Sequence, residues 1–234
     1  MIENLPGYVS ITFILTTFLT VGFLIYAIRQ KIFDTLPSKI LAALIAFWLI
    51  FQATLALGGF YQRMDVVPPR VFAFGVLPAI VLIALFFILF RKNFIERLPL
   101  KILTLLHIIR IPVEIVLLWL FQNGFVPQAM TFEGRNFDIL SGITAPVIYW
   151  ATFRAGRVNR PLLIAWNIFA LLMLINIVTT AVMAFPGPMQ QIAFDQPNRA
   201  VTYFPFIWLP TFVVPIVLFC HLASLWKLLV NKTV

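Results

Sequence analysis

The segment Lys101–Phe121, KILTLLHIIRIPVEIVLLWLF, makes two demands that are compatible only if other helices surround it. About 20 apolar residues at ~1.5 Å each cross the ~30 Å hydrocarbon core of a bilayer, and this run has that length and character. It also holds His107, Arg110 and Glu114. With about 100° of turn per residue, these three fall within roughly 60° of arc on one face. A charge left facing lipid near mid-membrane costs from about 2.5 to well over 10 kcal/mol, so this face must meet protein or water.

Six more apolar runs are available to shelter it. Spans expected at 8–28, 40–61, 71–90, 101–121, 137–153, 161–185 and 203–226 make residues 1–234 one all-α domain, a polytopic bundle of seven transmembrane helices. The chain is 62% hydrophobic and 11% charged, with a mean hydropathy of +1.01, outside the range of soluble domains. The run after MIENLPGY has full span length and no basic leader, so it is read as a retained first span. Cys220 has no second cysteine to pair with.

Lysine and arginine distribution sets the expected orientation. The loops after spans one, three and five and the C-terminal tail hold twelve: Arg29, Lys31, Lys39, Arg91, Lys92, Arg97, Lys101, Arg154, Arg157, Arg160, Lys227 and Lys232. The opposite face has four, Arg63, Arg70, Arg135 and Arg199. The N-terminus is therefore expected outside and the C-terminus in the cytoplasm, with the chain integral to the cell (inner) membrane. This asymmetry accounts for the net charge of +9 without a nucleic-acid partner, leaving the lipid bilayer as the expected surroundings. The sequence does not specify an oligomeric state.

Depth follows from the rise per residue. Counted from Lys101, His107 lies ~9 Å in, Arg110 ~14 Å and Glu114 ~20 Å. Asn167 and His221 fall at about the level of His107. Asn176, with Thr179 and Thr180, lies in the outer half of span six. Asp138 and Ser141 lie near the outer edge of span five, and Gln52 near the midplane of span two; with Asn176, Thr179 and Thr180 these are the expected candidates to solvate Arg110 and Glu114. Arg110 and Glu114, four apart, are positioned for a direct ion pair. The pair is either a structural lock or a site in which Arg110 holds an anionic group while Glu114 takes or relays a proton.

His107 suits a proton shuttle, a ligand or a core histidine. With His221 at matching depth, bis-histidine haem ligation is conceivable, but two histidines are a sparse signature and no cofactor is expected. No metal site is expected either, since zinc needs three or four ligands. Pro112 should kink span four between Arg110 and Glu114, and Pro210 and Pro215 should bend span seven; these three are candidate hinges. Ser141, Gly142 and Ala145 form a small-residue face for close packing. The many Phe and Trp residues are expected mainly toward lipid or its interfaces. Two segments stand out, HIIRIPVE (107–114) and MTFEGRNFD (130–138). The last span lacks the central lysine that retinal requires, and no P-loop or HExxH is present.

The expected function is a small-solute or proton-coupled transporter with substrate or proton sites at His107, Arg110, Glu114, Asp138, Asn176, Asn167 and His221. No catalytic residue is assigned. Two alternatives stand beside it: a sensory or scaffold subunit that transports nothing, and an intramembrane enzyme using His107 and Glu114 on a lipid-like substrate.

Overall fold

A computed structural model describes residues 2–30, 32, 34–154 and 158–230; Lys31, Arg157 and Lys232 of the charge distribution lie outside them. Among the described residues there are helices and no strands. Six helices are long and apolar enough to cross a membrane: α1 (Gly7–Arg29), α2 (Leu36–Leu57), α3 (Phe72–Phe90), α4 (Leu100–Gln122), α6 (Arg160–Met183) and α7 (Leu209–Val230). The remaining apolar helix, α5 (Ile139–Thr152), has only 14 residues. The protein is a helical membrane bundle, and its outward faces carry large apolar side chains such as Leu15, Phe47, Ile88 and Leu172. Other aromatic residues run against the expected lipid belt, with Phe13, Phe94, Phe206 and Trp208 buried in the core.

α4 is the enclosed element. Within its most apolar window 61% of residues are buried, against 17% for α3 at the periphery. It packs along α1 on one side and along α5 and α7 on the others. Gly142 sets the approach of α5, because a Cβ there would fall 2.8 Å from Ile111 Cγ1 and 3.1 Å from the Ile111 nitrogen. The small-residue face expected in span five thus lies against the middle of α4, where Ser141, Gly142 and Ala145 are all buried.

Prolines interrupt the long helices and their consequences are visible. Pro78 and Pro215 have no N–H, so the carbonyls of Phe74 and Thr211 lack their ordinary helical donor. Both are met by α2: Gln52 Nε2 donates to Phe74 O at 3.0 Å and Trp48 Nε1 donates to Thr211 O at 2.8 Å. Widened π turns at Phe72–Val76 and Leu209–Val213 sit at these places and touch each other. Gln52 therefore serves this junction, also accepting from the Tyr61 hydroxyl at 2.5 Å, and does not reach Arg110 as expected. Trp48→Phe, which keeps one aromatic ring and removes the donor together with the rest of the indole, is expected to lower stability by at least about 1 kcal/mol in detergent unfolding. An unchanged unfolding midpoint would show that Thr211 O has another donor.

In α4 the irregularity precedes its expected place. A 3₁₀ turn at His107–Ile109 separates two α-helical stretches, Leu100–Leu106 and Arg110–Gln122. The reason is that Pro112 disturbs the turn before it, where the carbonyl of Ile108 loses its donor. α7 starts at Leu209 instead of residue 203, and Pro210 lies in its first, π-type turn.

The two longest connections interlock over the Gln122 end of α4. Gln196 Nε2 donates to the carbonyls of Phe121 and Val126 at 2.8 and 2.7 Å, and the nitrogens of Arg199 and Ala200 both donate to Phe125 O.

Candidate functional site

The histidine, arginine and carboxylate of α4 are almost fully enclosed: His107 is 0% exposed, Arg110 2% and Glu114 1%. Their face meets protein, as the cost of a lipid-facing charge requires. The expected direct pair with Glu114 is not made, whereas Asp138, one of the candidates expected to solvate Arg110, does reach it. Arg110 Nε pairs with Asp138 Oδ2 at 2.8 Å, and Nη2 donates to the carbonyl of Ala170 at 3.1 Å. Nη1 lies 3.4 Å from His221 Nε2. The guanidinium thus ties α4 to α5, α6 and α7.

Glu114 takes a different partner. Asn136 Nδ2 donates to both of its oxygens, at 2.7 and 2.6 Å, and also lies 3.0 Å from the Met130 carbonyl. Asn136 Oδ1 accepts from the Asp138 nitrogen at 3.0 Å, which fixes the two residues relative to each other. The i,i+4 pair between Arg110 and Glu114 is therefore replaced by two separate contacts, both supplied by the 130–138 segment. Asp138 reaches Arg110 because α5 is short. At ~1.5 Å per residue it covers ~21 Å, so its first residue lies inside the bundle and not near the outer edge as expected.

This segment is a tight loop before α5. The nitrogens of Gly134 and Asn136 both donate to the Thr131 carbonyl, at 2.9 and 3.2 Å. A Cβ on Gly134 would overlap the Gln128 carbonyl, so the loop closes only with glycine there. Thr131 and Asn136 are fully buried within the protein.

Toward the Leu100 end of α4, His107 and His221 stack face to face, with ring centroids 3.9 Å apart and planes at 22°. Trp166 lies edge-on to His107 at 5.3 Å, and its indole nitrogen donates to Thr144 Oγ1 at 2.9 Å. His221 Nδ1 lies 2.9 Å from Asn167 Oδ1, while Asn167 Nδ2 donates to the Leu163 carbonyl. His107, His221 and Asn167 do share a level. The histidines present ring faces to each other, the wrong arrangement for axial ligation from opposite sides of a haem iron. Among the described residues no group of three or more His, Cys, Asp or Glu side chains is gathered as a metal ion needs.

Asn176 lies apart from this network, donating to the Arg135 carbonyl at 2.8 Å. Asn136 and Trp166, which sequence reasoning did not single out, belong to it. Asn136 falls within the conspicuous MTFEGRNFD segment, whereas Trp166 carried no signal beyond being one residue before Asn167.

Beside the carboxylates is a cavity of about 110 Å³ between α3, α4, α6 and α7. Glu114, Asp138 and Asn198 border it, and the other lining residues are apolar. Arg110 is not among its lining residues; its three nitrogens face Asp138, Ala170 and His221. Phe72 and Phe185, whose rings are 5.3 Å apart, both line the cavity.

Residues 68–229 match the model of a family described as a domain of unknown function, DUF8737. The chain belongs to this family. Every residue of the polar network and every wall of the cavity falls inside the DUF8737 match, whereas α1 and α2 precede it. No curated protein and no solved structure matches the chain.

Proposed function

We propose that this chain is a proton-coupled transporter of a small solute. The observation that carries the reading is the cavity at Glu114 and Asp138, at the depth where the surrounding helices are broken. A buried carboxylate in a membrane interior is a costly feature that proton-coupled carriers use as their titrating group. Interrupted helices placed around such a group are also a recurrent way to build a midplane binding site. Here the interruptions are the start of α5 at Asp138, the 3₁₀ turn in α4 and the π turns of α3 and α7.

In this reading Glu114 takes the proton and Asn136 holds its carboxylate, while Arg110 and Asp138 keep the helices in register. With the Leu100 end cytoplasmic, as the charge distribution suggests, the solute enters from outside, beneath the interlocked connections. The stacked His107 and His221, with Asn167, continue the polar line toward the cytoplasm. Pro112, Pro210 and Pro215 are the places where α4 and α7 would bend. The enzyme alternative is weaker, because His107 is packed beneath Trp166 and His221 and does not border the cavity with Glu114.

Proteoliposomes bearing an imposed pH gradient test the proposal with a labelled panel of small cations, anions and zwitterions. Gradient-driven uptake of at least one class is expected, and Glu114→Gln should reduce it at least tenfold. Uptake no greater than in protein-free vesicles, or undiminished in Glu114→Gln and Arg110→Gln alike, would remove the proposal.

A further inference from the structure

The polar groups bordering the cavity are all of one kind. Glu114 contributes a carboxylate, Asp138 has an Oδ1 with no hydrogen-bond partner, and Asn198 has an Oδ1 in the same condition. Asn198 is 1% exposed and Asp138 5%, so water outside the protein does not satisfy either oxygen. The Asn198 amide nitrogen is already engaged, donating to the Ala181 carbonyl at 3.2 Å, which leaves its oxygen as the group without a partner. The nearest positive charge is turned elsewhere, since the Arg110 nitrogens face Asp138 Oδ2, Ala170 O and His221. In formal terms two carboxylates share one guanidinium. With both carboxylates ionised, what remains is a largely apolar cavity whose polar wall accepts hydrogen bonds and carries one more negative than positive charge.

We propose that this cavity binds a small hydrophobic ammonium ion, a primary alkylamine in its protonated form. The inference rests on the transport reading for its consequence, since it names the class of solute carried, but the binding site stands on the cavity alone. An ammonium group brings N–H donors to a wall whose two unpartnered polar atoms, Asp138 Oδ1 and Asn198 Oδ1, are both acceptors, beside the Glu114 carboxylate. Its charge offsets the excess carboxylate, which no neutral solute does, and its alkyl body suits walls built from valine, leucine, isoleucine and phenylalanine. Size points to a short chain: an apolar cavity of about 150 Å³ accommodates benzene, and this one is smaller. A carboxylate solute would add a third negative charge and bring no donor. This reverses the sign expected from the sequence, where Arg110 was to receive an anion.

Calorimetric titration of the purified full-length protein in detergent tests this with n-butylammonium, n-butanol, butyrate and tetramethylammonium. Butylammonium should bind at least tenfold more tightly than butanol, which has one donor and no charge, and than tetramethylammonium, which has charge and no donor. Butyrate should not compete with it. Asn198→Ala should weaken butylammonium about tenfold and butanol by less. If that variant does not fold, the ligand series on the unaltered protein still decides. Equal binding of butanol and butylammonium, tighter binding of butyrate, displacement by sodium or potassium chloride at equal concentration, or no butylammonium binding would each overturn the inference. Binding without flux in vesicles would leave the ammonium site standing and remove the transport reading. Flux of another solute class, with no ammonium binding, would do the reverse.

Discussion

Asp138→Ala is expected to destabilise the protein by about 3–5 kcal/mol, because it strands the Arg110 guanidinium in a place where only 2% of the residue is exposed. The loss comes from the charge left behind more than from the attraction removed. Arg110 would retain the Ala170 carbonyl and His221, neither of which carries a formal negative charge to offset it. Replacing both partners together, Arg110→Leu with Asp138→Leu, should therefore cost less than Asp138→Ala alone. Reversible unfolding in mixed detergent, followed by circular dichroism, gives the comparison. A loss below about 1 kcal/mol in Asp138→Ala would mean that Glu114 has swung across to Arg110, the i,i+4 arrangement that the spacing on α4 permits. Adding Glu114→Gln would then expose the full cost.

That fallback shows where sequence reasoning stopped. The spacing of His107, Arg110 and Glu114 was enough to place them on one sheltered face and to make α4 the centre of the bundle, because helical periodicity and the price of a lipid-facing charge act on local sequence alone. The common level of His107, Asn167 and His221 was likewise legible, since rise per residue and alternating direction fix depth. Asp138 was among the candidates for Arg110, but it was set near the outer edge because span five was expected to cross the whole membrane. The span read from sequence, 137–153, was itself shorter than the ~20 residues a crossing needs, and that shortfall was the available signal. Asn136 lies in a loop, where periodicity carries no information, and its direction is set by the turn closing on Thr131. Gln52 was matched with the wrong neighbours. The prolines of α3 and α7 announce carbonyls without donors, but only the packing of α2 against both helices shows that Trp48 and Gln52 supply them.

Asn136→Asp should be the most damaging single-residue isosteric change in the site. The Asn136 amide nitrogen is 2.7 and 2.6 Å from the two oxygens of Glu114. Exchanging that N–H₂ for an oxygen sets one carboxylate against another in a fully buried place, removes the hydrogen bonds to Glu114 and the Met130 carbonyl, and turns attraction into repulsion. The repulsion is little screened there, since both residues are at most 1% exposed. We expect a loss of several kcal/mol at neutral pH, comparable to Asp138→Ala and far larger than the roughly 1–3 kcal/mol for leaving one acceptor unsatisfied. The second substitution distinguishes electrostatics from shape. Glu114→Gln in the Asn136→Asp background restores a donor facing an acceptor with the direction of the hydrogen bond reversed, so the double variant, with the Met130 carbonyl still without its donor, should recover the stability lost to carboxylate repulsion. It should nevertheless remain inactive in gradient-driven uptake, because the carboxylate now sits on the loop and not on α4 at the cavity wall. Recovery of stability without uptake would separate the holding of this loop from the movement of a proton. A double variant no more stable than Asn136→Asp would show that the contact between Asn136 and Glu114 is not the interaction that fastens the 130–138 segment to α4.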